Sequence, residues 1–127
     1  MGLTNAFRDW LPSAITGVGS PTLFTNGASY IGVGDSSTAF AAGQTDLQAA
    51  TNKMRKGMEA TYPQISTNTM TFRCLLGTGD ANHAIEEWGV FNASSSGTMM
   101  CRKAESRGTK VSGDTWQITA TITLTLA

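Results

Sequence analysis

From Trp116 the chain alternates without a break. Trp116, Ile118, Ala120, Ile122, Leu124 and Leu126 occupy the even positions, and Gln117, Thr119, Thr121, Thr123 and Thr125 the odd ones. Successive side chains of a strand point to opposite faces, so period two makes this segment a strand with one apolar face and one threonine face. The same period runs over residues 67–76, where Met70, Phe72, Cys74 and Leu76 face one way and Thr69, Thr71 and Arg73 the other. Two such segments commit the chain to half-buried antiparallel sheet, and the apolar face of a sheet needs a second layer to cover it.

Residues 85–91 carry apolar groups on both sides, Trp88 and Val90 on one and Ile85 and Phe91 on the other, the pattern of a central strand. Ser94, Ser95, Ser96 and Gly97 form a hairpin loop, residues 98–104 return as a strand, and residues 106–114, with Gly108 and Gly113, connect to the last strand. Read this way, residues 67–126 are four consecutive antiparallel strands. Upstream, Leu3, Phe7, Trp10, Leu11, Ala14 and Ile15 recur at helical spacing behind a Thr4 cap. Pro12 is expected to kink or shorten this helix, and Gly17, Gly19 and Pro21 to end it. Tyr30 opens a short strand, residues 35–44 are loop, and residues 45–52 suit a turn of helix capped by Thr45. Residues 53–62 are read as strand, although Met54 and Met58 also suit a helix. The expected fold is all-β, a mainly antiparallel β-sandwich or jelly-roll-like domain with a short N-terminal helix. It spans 1–127 as a single domain, with residues 1–16 as the helical segment and 28–127 as the sandwich.

A chain of 127 residues fits one core. Charged residues are 14 %, well below the usual ~25 %, and nine Lys+Arg balance nine Asp+Glu. Without a basic surplus the chain is not a strongly electrostatic nucleic-acid binder. No stretch nears the ~20 apolar residues of a membrane span, and no basic-then-apolar leader opens the sequence. The expected setting is therefore the cytoplasm of the cell that makes it. Cys74 and Cys101 are too few for a disulfide scaffold; they are two buried thiols or one bridge, with free thiols favoured by the compartment. A neutral, charge-poor chain is poorly protected against self-association, which points to a homo-oligomer.

No constellation in the sequence defines an enzyme, a cofactor site or a metal site. Gly32, Gly34, Asp35 and Ser37 look like a phosphate loop, but the third glycine and the Lys-Ser/Thr pair are missing, so the two glycines are read as close backbone approaches within a strand. His83 is the single histidine and lacks partners at metal spacing; a triad with Asp80 and one of many serines would match any small polar loop. Glu86 and Glu87 are adjacent, so they face opposite ways on a strand, and the buried one needs a cation from among Arg55, Lys56, Arg73 and Arg102. Glu86, Glu87, Arg55, Arg73 and Arg102 are accordingly assigned structural polar roles. Lys53, Arg55 and Lys56 are read as a solvated face or a contact between subunits. Candidate interface residues are Leu3, Phe7, Trp10 and Leu11 on the helical segment, Thr119, Thr121 and Thr123 on the threonine face, and Met99. The helix has a second reading, as a cover for one open end of its own sandwich.

A series of short segments carries a resemblance. Tyr30-Ile31-Gly32-Val33-Gly34-Asp35 is followed by Gln44-Thr45-Asp46-Leu47, then by Lys53-Met54-Arg55-Lys56-Gly57-Met58 with Tyr62-Pro63, and then by Glu86-Glu87-Trp88-Gly89-Val90-Phe91-Asn92 ahead of Gly97-Thr98-Met99-Met100. This order resembles small structural proteins of tailed bacteriophages. It is similar, more loosely, to the N-terminal domain of phage tail-collar fibre proteins, and it covers residues 30–102. The resemblance implies a virion protein made in the host cytoplasm. It implies no enzyme activity, and partners that are copies of itself (a trimer, for instance) and phage capsid or tail proteins, not nucleic acid or membrane. The sequence closes at Ala127 with no fibre shaft, which favours a capsid decoration, or cement, protein over a tail-fibre, baseplate or neck adaptor. A carbohydrate-binding module stands as a further alternative on the strength of Trp10, Trp88 and Trp116, although Trp88 and Trp116 fall on core faces.

Overall fold

The alternating segments fold as strands and the amphipathic N-terminal segment as a helix, in a computed structural model that describes residues 2–126. In chain order the elements are β1 (Gly2–Leu3), α1 (Asn5–Thr16), β2 (Tyr30–Gly34), β3 (Lys53–Gly57), β4 (Gln64–Ser66), β5 (Thr69–Leu76), β6 (Ala84–Phe91), β7 (Met99–Thr109) and β8 (Trp116–Thr123). They build two antiparallel sheets, one of five strands in the order β1-β7-β6-β2-β3 and one of three in the order β4-β5-β8. The inner faces meet in one core that includes Ile31, Val33, Phe72, Leu76, Val90 and Ile122. The fold is a mainly antiparallel, sandwich-like all-β architecture with one short N-terminal helix.

The expected meander of four strands does not form. β5 pairs with β8 and β4, whereas β6 pairs with β7 and β2, so the chain changes sheets after β5 and again after β7. The reason lies in the faces. β5 and β8 are apolar on one side only and suit a sheet with an open back, whereas β6 is apolar on both and sits inside the larger sheet. Two irregularities alter the expected facing. Val90 lies opposite Cys101 and Phe91 opposite Met99, so Met100 is the extra residue of a bulge and joins Cys101 in the inner core. A second shift between Ile85 and Glu87 turns Ile85 into the same core as Val90, not onto the side of Phe91.

Several boundaries move. β7 runs on to Thr109, through the segment expected to be a connector, and β8 stops at Thr123, leaving Leu124 and Leu126 exposed. Residues 45–52 contain no helical turn, and 53–57 are strand. Pro12 does not end α1. The last turn is closed by the Gly17 N–H on the Ser13 carbonyl at 2.8 Å and by Thr16 Oγ1 on the Pro12 carbonyl at 2.8 Å, with Gly17 left-handed at the cap.

The start of α1 is fixed to the sheet by Thr4. Its buried hydroxyl accepts the Phe7 N–H at 3.1 Å and donates to the Met99 carbonyl. Phe7 is buried and stacks on Trp10 at 5.5 Å between ring centres, and Phe24 packs edge-on against both. Phe7 therefore belongs to the chain's own core, which corrects its assignment as an interface residue; Trp10 is half-buried beside it, its Nε1 donating to the Thr22 carbonyl. Thr4→Ala removes the cap and the tie to β7 together, and is expected to cost about 1–2 kcal/mol in urea unfolding, with Thr4→Ser recovering most of the loss.

Cys74 and Cys101 are free, buried and on different sheets, so the cross-strand bridge is excluded. Burial pushes both thiols up to about 12, with Glu59 adding to the effect at Cys74. A thiol reagent at pH 8 is expected to label neither cysteine in the native protein and both once the chain is unfolded; fast native labelling of either would contradict this packing.

Candidate functional site

The outer face of the five-stranded sheet is where the chain places its most demanding polar group. A Cβ at Gly34 would run into the Glu87 carboxylate, and one at Gly32 would lie 2.6 Å from the Phe91 ring. The two glycines of β2 thus clear the space that these side chains of β6 occupy; the close neighbours are side chains, not the second backbone that was expected. Glu87 and Arg102 are both fully buried there, joined Oε1 to Nε at 2.8 Å. Glu87 Oε1 also accepts the Gln48 N–H at 2.7 Å, and Oε2 accepts the Ala49 N–H at 2.8 Å. Arg102 Nη1 donates to Gln44 Oε1 at 3.2 Å. The carboxylate therefore clamps residues 44–49 over the sheet, and Leu47 closes a small apolar cluster with Phe91 and Met99 beneath. Met99 is fully buried in that cluster, which corrects its assignment as an interface residue.

The other structural polar residues extend the same device. Arg55 Nη1 donates to the carbonyls of Ala93 and Ser96 at 2.8 and 2.9 Å, its Nη2 meets Asp46 Oδ1 at 3.2 Å, and its guanidinium lies 3.6 Å over the Phe91 ring. It ties the β6–β7 hairpin loop to the clamped segment and is not a solvated basic group. Burial works to raise the Asp46 carboxyl, but the Leu47 N–H, Arg55 and Lys53 outweigh it and hold the group below the ordinary carboxylate range. Arg73 pairs with Glu59 at 2.9 Å and covers Tyr62, and Lys56 pairs with Asp80 at 2.7 Å. Glu86, on the other face from Glu87, accepts from Ser106 Oγ at 3.1 Å. The His83 Nδ1 lies 2.8 Å from the Ala84 carbonyl, and Asp80 is held by Lys56 and the Gly77 N–H, so the imagined His-Asp arrangement is not assembled.

The second feature is a groove of about 590 Å³ on the open side of the sandwich, between β8 and the β6–β7 hairpin. Trp88, Trp116 and Ile118, each half-buried, line it together with Lys103, Glu105 and Arg107. Trp88 Nε1 donates to Glu105 at 2.9 Å, and Glu105 in turn meets Lys103 at 3.0 Å and Arg107 at 3.2 Å. Burial works to raise the Glu105 carboxyl, yet these three partners hold it below the ordinary range. Thr119, Thr121 and Thr123 are exposed on the outer face of β8, and Leu3 and Leu11 are exposed at 42 % and 38 %. Ile15, part of the apolar stripe read from helical spacing, is exposed at 76 % at the helix end. Val18 and Leu23, which that spacing does not include, are exposed at 70 % and 49 % on the segment after α1. Their signal was in the sequence: apolar residues past a capping glycine have no helical face left to bury them.

Neither a protein-family model nor a curated protein matches the chain. Among the described residues no helix is long and apolar enough to cross a membrane. The class that fold and geometry define is a small antiparallel sandwich with one sheet face sealed by a clamped loop and one side open.

Removing either member of the buried pair is expected to cost about 3–5 kcal/mol in urea unfolding. Glu87→Met is expected to fall at the upper end, because it strands Arg102 and two backbone N–H groups. Arg102→Met leaves Glu87 its two N–H donors and is expected to cost less; the reverse order would show that the carboxylate is not what holds the loop.

Proposed function

We propose that this chain is a non-enzymatic structural protein of a tailed-phage virion, acting as an oligomeric capsid decoration protein. The observation that carries the assembly part is the concentration, within the first 23 residues, of large apolar side chains left in water: Leu3, Leu11, Ile15, Val18 and Leu23. Exposed apolar groups in such number mark a surface that another protein covers. The phage part rests on the resemblance of residues 30–102. A decoration protein gains its hold by many weak copies acting together, and a neutral chain approaches a capsid of either sign without long-range repulsion.

The test uses purified particles of a phage that encodes the chain. Mass spectrometry is expected to find the protein in the particle, and gold-labelled antibody to mark the head. Label confined to the collar or tail tip overturns decoration in favour of a tail adaptor. Absence of the chain from particles overturns the virion reading altogether. Ile15→Asp with Val18→Asp is expected to abolish rebinding to particles stripped of the protein while leaving its circular dichroism unchanged.

A further inference from the structure

We infer that the free edge of β8 is a self-pairing seam, by which two copies of this chain join about a two-fold axis into one continuous sheet of six strands. The inference goes beyond the reading above, whose surface is the N-terminal apolar one, by adding a contact between copies of the chain.

Edge strands carry unpaired N–H and C=O groups, and proteins guard them with charge, proline or shortness. The edges here are guarded in those ways, with one exception. β1 has two residues and β4 has three. β3 carries Lys53, Arg55 and Lys56. The part of β7 that extends past β1 carries Lys103, Glu105 and Arg107. β8 has eight residues, Trp-Gln-Ile-Thr-Ala-Thr-Ile-Thr, with no charge and no proline, and among the described residues only β5 pairs with it. Its free side opens directly onto the groove that Trp88, Trp116 and Ile118 line.

A second copy fits this edge better than a foreign strand for two reasons. The strand itself presents no charge that would select a charged peptide, the Lys103 and Arg107 across the groove are both taken up by Glu105, and the chain as a whole, with nine basic and nine acidic residues, does not repel itself. The strand is also self-complementary. A two-fold axis through Ala120 sets Thr119 beside Thr121 of the second copy and Gln117 beside its Thr123 on the outer face. On the inner face it sets Ile118 beside Ile122 of the second copy. Threonine already pairs with threonine across β5 and β8, where the Thr69 and Thr123 hydroxyls lie 3.0 Å apart. A two-fold axis through any residue keeps inner faces with inner faces, so the apolar side of each β8 extends the core of the other and shields Trp116 and Ile118.

Sedimentation of the purified chain from micromolar to millimolar concentration tests the seam. The expected result is a species of twice the 13.4 kDa chain mass. Thr119→Lys with Thr121→Lys sets lysines against lysines across the axis and is expected to give a folded monomer whose tryptophan fluorescence is more readily quenched. Ile65→Asp, on β4 at the opposite edge of the same sheet, is expected to remain dimeric. If the double variant does not fold, hydrogen exchange on the unmodified chain decides: the amides of β8 are expected to exchange more slowly as concentration rises. A monomer at every concentration, a three-fold assembly, or a dimer that survives the paired lysines overturns the seam. No particle enters this experiment, so loss of the seam leaves the virion reading standing, and absence from particles leaves the seam standing.

Discussion

Two charges have been taken fully out of water at Glu87 and Arg102, and they are paired with each other; every Glu87 oxygen is hydrogen-bonded, whereas Arg102 Nη2 is buried without a partner. An isolated buried carboxylate costs many kcal/mol, so its partners are structural requirements. They come from three places in the chain: the guanidinium from β7, the two N–H groups from the loop after β2, and the space itself from Gly34 of β2. Loss of register between β6 and β7 would separate the pair, and a larger residue at Gly34 would displace it. The pair thus couples the pairing of three strands to the closing of one loop. It specifies that arrangement more than it adds to stability, since buried ion pairs often do little better than break even against apolar substitutes.

The same economy extends to the other charges. Arg55, Lys56 and Arg73 each meet a carboxylate of the same chain, and Arg55 also holds two backbone carbonyls. A chain with few charges thus uses several of them to fasten its own loops. The threonine face of β8 and the apolar groups around the end of α1 are left as much of what it shows to water. That division links interior to exterior: fastening from within leaves a neutral surface suited to close contact with other protein.

Legibility in the sequence followed the range of the interaction. Period two located β5 and β8 and the side of each that faces inward, because facing is a property of single strands. The capped start and glycine end of α1 were local and therefore readable. The sequence shows that one of the adjacent Glu86 and Glu87 needs a cation and offers four, Arg102 among them, but only the register of β7 against β6 decides the pair. The sheet to which each strand belongs was not readable, since adjacency in sequence argued for a meander. Nor was the bulge at Met100, which sends Met99 under the loop; a doublet of identical residues hides which one is extra. The grip of Glu87 on residues 48 and 49 left no mark in the loop because it uses main-chain groups, whereas Gln44 and Asp46 meet Arg102 and Arg55 through their side chains.

That last feature has a consequence for how the chain can change. Glu87 grips the N–H groups of Gln48 and Ala49, and any residue but proline supplies an N–H. At residues 48 and 49 the identity of the side chain is thereby separated from the attachment, while Gln44, Asp46 and Leu47 hold their part of the loop by their side chains. Residues 36–43 leave the sheet at one fixed end and return to another, and their side chains are mostly in water. Length and sequence in that stretch can drift, or be replaced by design, while the clamp holds the ends in place. The sealed face of the sheet is in this sense a mounting plate: a rigid base on which a variable surface is carried.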